Sequence, residues 1–275
     1  MTDRNNLRNR RDHYVPQSYL RGFTDPERTT SPRPLWYFDI PGRVWTERSP
    51  REIAYRYGFY DYMMHQIETE TADSSFVELE NLYPHIRSAL IEDEFQNWKE
   101  YLEFLLCYGQ MMRARSLLFF ENHQTEGKNL RAWTVEEISQ DRQTIKLKSM
   151  TPETLPPSFV KNWTITKMRE EIQKGPAWLN DFRWAIRYCQ STANPFVVSE
   201  APLMICGEHP DLESAIWAPH SLLFFPLCWQ ATLVGSRQAI APEIGEFGDE
   251  DMLRFRKMYE STAKIFIVSP QRLSF

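Results

Sequence analysis

The sequence predicts an α+β fold, in which a mixed or mainly antiparallel sheet, built from an N-terminal hairpin and C-terminal strands, packs on a central helical region. Short runs rich in Val, Ile, Phe, Leu and Trp, bounded by Pro, Gly, Ser and Asn, cluster towards the two ends of the chain. The middle instead carries apolar residues at helical spacing. Size is the third observation: 275 residues, 42% hydrophobic and 14% aromatic, can bury one substantial core. A single domain over residues 13–275 is expected, preceded by a basic arm at residues 1–12.

That arm, "MTDRNNLRNRRD", holds Arg4, Arg8, Arg10 and Arg11 without an apolar partner and reads as mobile. In "RDHYVPQSYLRGF", Pro16 suits the first turn of a helix and Gly22 its exit. Gln17 and Arg21 then share a face, and His13 lies just upstream. "LWYFDIPGRVWTERSP" reads as a hairpin, with strands Leu35 to Ile40 and Arg43 to Glu47 around a two-residue Pro41-Gly42 connection. In "SPREIA", Ser49 serves as N-cap, Pro50 takes the first helical position and Glu52 completes a capping box, so a short helix starts there.

Phe76, Leu79, Tyr83, Ile86 and Leu90 mark a helix with Pro84 as a kink or boundary. In "FQNWKEYLEFLLCYGQMMRARSLLFF", Tyr101, Leu105, Tyr108, Met112 and Phe119 line one face, which predicts the central helix. Residues 121–157 turn polar and uneven, with Gly127 and "TPETLPP", so loops, short elements and mobility are expected there. A helical stretch leads to Gly175-Pro176. The runs "FRWAIRYC", "PFVVSE", "LLFFPL", "WQATLVGS" and "KIFIVS" read as strands, and a last helix from about Asp249 to Thr262 packs on the sheet.

Composition excludes several classes. The N-terminus lacks the apolar run of a signal peptide, and no segment offers about 18 uninterrupted apolar residues, so a cytoplasmic protein is expected. Cys107, Cys189, Cys206 and Cys228 have no CxxC spacing and read as small hydrophobes. A formal net charge of −5 means that nucleic acid would need a local basic patch, not a bulk field. The P-loop, GxGxxG, HExxH and GxSxG patterns are missing. His65, His85, His123, His209 and His220 show no ligand spacing and read as surface or packing residues.

"HYVPQSYLRGF", followed by "LWYFD" and "IAYRYGFYD", resembles the opening of a bacterial family called domain of unknown function 4238. The resemblance continues through "VELEN", "QMMRAR", "PFVVSEAPL", "LLFFPL" and "AKIFIVSP", so it spans most of the chain. It implies no established reaction. Ser199-Glu200 stand where the family usually has Ser-Asp, and Ala114-Arg115 where it usually has Thr-Pro. The longer carboxylate moves its oxygens by about one bond, which matters for a strict metal geometry.

The candidate catalytic residues are His13, Glu80 and Glu200; the candidate ligand-binding residues are Gln17, Arg21, Gln110, Arg113, Arg115 and Ser199. A helix N-terminus flanked by His13 and Arg21 suits phosphate or carboxylate, and an imidazole can shuttle protons near neutral pH. Alternatively, His13 and Arg21 anchor the N-terminal segment. Glu80, at the edge of an apolar face, is either an acid–base group or a salt-bridge partner, for example of Arg87. Gln110 and Arg113 point into one polar cleft. Arg115 falls on the apolar side and must pair with a carboxylate or a ligand anion. Ser199 and Glu200 end a strand, as either binding groups or turn formers.

Two functions follow. One is a hydrolase cleaving a phosphoester, for instance as a nuclease, with His13 as acid or base, Glu80 and Glu200 as bases or ligands of Mg2+ or Mn2+, and the arginines on the phosphate. The other is a non-catalytic module for an anionic ligand or a protein partner, with the acids as counter-charges. The expected partner is a phosphate-containing ligand or nucleic acid, with no membrane.

Overall fold

A computed structural model describes residues 11–64, 67–71, 76–128, 132–138, 145–150, 157–191, 193–206 and 218–274. His65, His209, residues 1–10 of the expected basic arm, and parts of the polar stretch 121–157 lie outside these. The fold is α+β. Among the described residues no helix is long and apolar enough to cross a membrane.

The C-terminal strand signals form the largest sheet. β9 (Arg183–Tyr188), β11 (Met204–Cys206), β12 (Leu222–Cys228), β13 (Ala231–Ser236) and β14 (Ile244–Glu246) lie in the order β11-β12-β13-β9-β14. Its pairs are antiparallel except β14 with β9. Its two central strands, β12 and β13, are buried almost throughout, which is why they read as continuous apolar runs.

The second sheet joins both ends of the chain, in the order β10-β15-β2-β3: β10 (Val198–Ser199), β15 (Phe266–Ser269), β2 (Leu35–Asp39) and β3 (Val44–Arg48). Asp39 pairs with Val44, so the hairpin loop has four residues, not the two expected. Asp39 Oδ2 accepts the Gly42 N–H at 2.8 Å, and Arg43 takes a positive φ of 49°. Three smaller ladders pair β1 (Arg11–His13) with β4 (Tyr55–Tyr57), β5 (Asp61–Met64) with β6 (Ile67–Thr71), and β7 (Ala132–Ile138) with β8 (Ile145–Met150). Arg11 and Asp12 therefore belong to the domain and not to a mobile arm. Asp12 is buried and accepts the Tyr60 N–H at 3.1 Å.

The opening helix, α1 (Gln17–Leu20), is a single turn that tightens into a 3-10 turn at Arg21–Phe23. It docks on β12 through aromatic rings. Tyr19 stacks on Phe225 at 6.0 Å, Tyr83 stacks on Tyr108 at 4.2 Å, and the Tyr19 and Tyr83 hydroxyls donate to the carbonyls of Pro226 and Leu227. A Cβ on Gly22 would sit 3.0 Å from Arg87 Nη1 and 3.3 Å from both the Cys228 Cβ and the Leu227 carbonyl oxygen. Glycine permits this approach, in which the Trp229 N–H donates to the Gly22 carbonyl at 2.9 Å.

α2 (Val77–Glu92) runs through Pro84, whose missing N–H would have paired with the Glu80 carbonyl. The expected central helix is two helices, α3 (Leu102–Arg115) and α4 (Leu117–Lys128), after a 3-10 turn at Trp98–Tyr101. Ser116 makes the break with an extended ψ of 150°. Its hydroxyl donates to the Arg113 carbonyl at 2.7 Å and accepts the Phe119 N–H at 3.2 Å, closing one helix and capping the next. The stretch expected to hold loops thus continues α4 to Lys128, carries the β7–β8 ladder and leads into α5 (Pro157–Gln173). α6 (Asp249–Thr262) has Asp249, Glu250 and Asp251 in its first turn, where they complement the helix dipole, and buries Met252, Phe255 and Tyr259.

Candidate anion-binding site

Arg115, on the last turn of α3, is 1% exposed and has all three guanidinium nitrogens engaged. Nε donates to the Tyr60 hydroxyl at 2.9 Å, Nη1 to Glu80 Oε1 and Nη2 to the His13 carbonyl oxygen. Its Cζ lies 4.3 Å from the Phe76 ring centre and 5.0 Å from that of Tyr60. Although burial opposes it, the neighbouring Tyr60 and Glu80 raise the Arg115 pKa, so the cation is firmly held. This ion pair fixes the end of β1 to α2 and α3. Glu80 belongs to Arg115 and not to Arg87.

The His13 side chain leaves that knot on its other side. Gln17 Nε2 lies 3.4 Å from Nδ1, an arrangement in which the amide donates and the ring proton sits on Nε2. Nε2 is buried and makes no hydrogen bond of good geometry. Burial lowers the His13 pKa below the ordinary histidine value; the Arg51 backbone opposes this, while the Arg115 and Arg11 cations reinforce it. The imidazole is therefore neutral at pH 7. α1 is too short to offer a helix N-terminal anion site, and Gln17 faces the imidazole.

Arg21 points elsewhere, into a cleft of about 570 Å3 that it shares with Arg33, Arg51 and Arg87. Thr24, Ser31 and Ser49 add hydroxyls, and Pro32 and Pro50 stiffen the rim. Each arginine is brought by a different device. Arg21 ends α1, where Thr24 Oγ1 donates to its carbonyl at 3.0 Å. Arg51 rides on the capped 3-10 turn Pro50–Glu52, in which the Ser49 N–H donates to Glu52 Oε2 at 2.8 Å. Arg33 sits on a loop closed by the Asp25 N–H donating to the Pro34 carbonyl at 3.1 Å. Arg87, from α2, donates through Nη1 to the Ser18 carbonyl at 3.0 Å and lies over the Tyr83 ring.

Among the described residues no carboxylate neutralises this cluster. The nearby acids are committed elsewhere: Asp25 and Glu47 pair with Arg28 at 3.4 and 2.8 Å, and Glu52 holds the Ser49 amide. Among the described residues, none of the four arginines forms an ion pair and no acid or aromatic ring lines the cleft. Four like charges sharing one cavity in water repel each other, and a bound anion relieves that cost.

The remaining candidates form two structural groups. Gln110, 1% exposed, donates to the Glu171 carbonyl at 3.1 Å and accepts from Trp178 Nε1 at 3.0 Å and Arg113 Nε at 3.2 Å. Arg113 Nη2 donates to Glu171 Oε2 at 2.7 Å, and Lys174 Nζ to Glu171 Oε1 at 2.8 Å. Burial pushes the Glu171 pKa up, but the Lys174 and Arg113 contacts outweigh it and hold the carboxyl below its usual range. Arg113 also edges a second cavity, of about 560 Å3, with Phe119, His123, Ala201 and Leu203. In the turn after β10, Ser199 Oγ accepts the Ala201 N–H at 3.2 Å. Glu200, 5% exposed, accepts the N–H groups of Lys264 at 2.6 Å and of Ile265 and Phe266 at 3.2 Å each.

The structure thus joins His13 to Gln17, Glu80 to Arg115, Gln110 to Arg113 and Ser199 to Glu200, and sets Arg21 in the arginine cleft. Glu80 and the His13 carbonyl meet at Arg115, and Glu200 is held by backbone N–H groups at the entry to β15. Among the described residues no three His, Cys, Asp or Glu side chains form a group able to hold a metal ion, so these three do not make a magnesium or manganese site. Arg33, Arg51 and Arg87 were not expected in a site. Their local signal is slight: Arg33 and Arg51 each follow a proline in a polar loop, and only the closure of the fold brings them to Arg21.

A family model described as "Protein of unknown function (DUF4238)" matches residues 11–266. The chain belongs to this family. Searches of curated proteins and of solved structures gave no match. In this chain the "HYVPQSYLRGF" segment supplies the His13 carbonyl to the Arg115 knot and Arg21 to the cleft.

Proposed function

We propose that this protein binds a phosphate-bearing anion in the cleft of Arg21, Arg33, Arg51 and Arg87. The supporting observation is the convergence of four arginines, none ion-paired among the described residues, around one cavity of about 570 Å3. Guanidinium groups fit phosphate oxygens two at a time, and the Ser31 and Ser49 hydroxyls in the lining add further donors. The cleft lies in the size range of small-molecule sites. Four cysteines outside any disulfide fit a reducing, cytoplasmic setting.

Calorimetric titration with pyrophosphate tests the reading, comparing the wild-type chain with an Arg21→Ala/Arg51→Ala variant. Both arginines are exposed, so the variant should fold. Saturable binding that weakens at least tenfold in the variant is expected, since each charge-assisted hydrogen bond contributes about 1.5–3 kcal/mol. Equal affinity in the two proteins would move the site elsewhere, and absence of saturable binding would end the reading.

Phosphoester cleavage, as by a nuclease, is a second reading, and one observation favours it: His13, whose buried Nε2 has no hydrogen-bond partner among the described residues, lies on the same short segment as Arg21. A nuclease and phosphodiesterase panel, with and without Mg2+ or Mn2+, is its test. Turnover that disappears in His13→Gln supports it; no turnover on any substrate removes it.

A further inference from the structure

Building on the anion reading above, we infer that the natural ligand of the arginine cleft is an oligophosphate of three or more phosphates, bound through its phosphate chain and without a coordinated metal ion. Three properties of the lining lead there. The first is charge. Four arginines and no acid border the cleft among the described residues, so full neutralisation requires about four negative charges. Orthophosphate carries at most about two at neutral pH, as phosphate esters do. A triphosphate chain carries the required number.

The second property is size. The cavity of about 570 Å3 exceeds many times the space of a single small ion, given that one water occupies about 30 Å3 in the liquid. The arginines also arrive from four separate segments: the end of α1, the loop before β2, the capped turn before β4 and the middle of α2. Such donors suit a chain of phosphates better than a single tetrahedron.

The third property concerns what the lining lacks. Without a ring on which a base can stack, the described lining has no aromatic platform for a single-stranded nucleic acid or for a nucleobase. Without a carboxylate, it lacks the charged ligand that helps hold Mg2+ against the phosphates in phosphoryl-transfer sites. A magnesium chelate, with two fewer negative charges, would be the poorer ligand. The cleft therefore recognises the free polyanion.

The test is a calorimetric series on the full chain with orthophosphate, pyrophosphate, tripolyphosphate, a nucleoside triphosphate and a single-stranded oligonucleotide. Affinity is expected to rise at least tenfold from pyrophosphate to tripolyphosphate, to be equal within about threefold for the nucleoside triphosphate, and to fall at least fivefold in excess Mg2+. An Arg33→Ala variant should lose more affinity for tripolyphosphate than for pyrophosphate. Pyrophosphate binding as tight as tripolyphosphate, stronger binding with Mg2+, or a preference for the oligonucleotide would each overturn this inference while leaving anion binding intact. Silence across the series would defeat both.

Discussion

Arg115 illustrates how one buried charge organises its surroundings. The sequence places this arginine on an apolar helix face, where it must find a counter-charge, and the structure supplies Glu80, the Tyr60 hydroxyl and the His13 carbonyl. Arg115→Met leaves the Glu80 carboxylate and the His13 carbonyl without their donor, and should destabilise the fold by about 3–5 kcal/mol in urea unfolding. A loss under about 1 kcal/mol would show that the knot is replaceable. His13 adds a pH dependence with a defined sign. Its folded pKa is lowered, so below the unfolded value of about 6.5 the unfolded chain takes up a proton that the folded chain refuses. Stability from this group is complete above that value and declines as pH falls from there towards the folded pKa. Subtracting the stability–pH curve of His13→Gln from that of the wild type should reveal this slope; a flat difference would mean that burial does not perturb the imidazole.

Elements are decided by how backbone groups near their ends are satisfied. Glu200 was a candidate catalytic or metal-binding carboxylate, yet its oxygens receive three consecutive N–H groups at the entry to β15. Hydrogen bonds to a charged group contribute about 1.5–3 kcal/mol each, with much overlap when one carboxylate serves three. Glu200→Ala should cost about 2–4 kcal/mol and accelerate hydrogen exchange at Lys264 and Phe266 more than at the amides of β12. Uniform acceleration would mean that the carboxylate has no local role. Ser116 shows the same principle in a helix. Its flanks "MMRAR" and "LLFF" are compatible with one continuous helix, and only the doubly bonded hydroxyl reveals a break. By contrast, α6 was legible to its ends because acidic residues mark its start and Met252, Phe255 and Tyr259 keep helical spacing.

For the whole molecule, the relevant contrast is between a formal net charge of −5 and a cleft whose described lining carries four arginines and no acid. The bulk field repels anions, so capture depends on a local potential that salt screens readily at an open cleft. Raising ionic strength from about 0.05 to 0.5 M should weaken pyrophosphate binding roughly tenfold or more, whereas unfolding of the ligand-free chain should shift little. Salt-independent binding would indicate a buried, less charged site. The same scale explains how the two candidate carboxylates are engaged. Glu80 and Glu200 each had a structural partner available in the folded chain, and neither partner is near it in sequence. The histidine–carboxylate set was chosen by residue type, and residue type carries no information about such distant pairings.

By itself the sequence determined the α+β class, the family, the strand runs of the C-terminal sheet, the capped turn at Ser49, the last helix and the need of Arg115 for a partner. The family rests on the resemblance of its motifs; each of the others rests on local periodicity, capping chemistry or the cost of burying a charge, all written within a few residues or one side chain. Only the tertiary structure decided that Glu80 answers Arg115, that Glu200 binds backbone, and that Arg21 joins Arg33, Arg51 and Arg87 in one cleft. Those outcomes depend on how helix α1 settles on β12 through Gly22 and the tyrosine rings, a matter of packing between segments some two hundred residues apart.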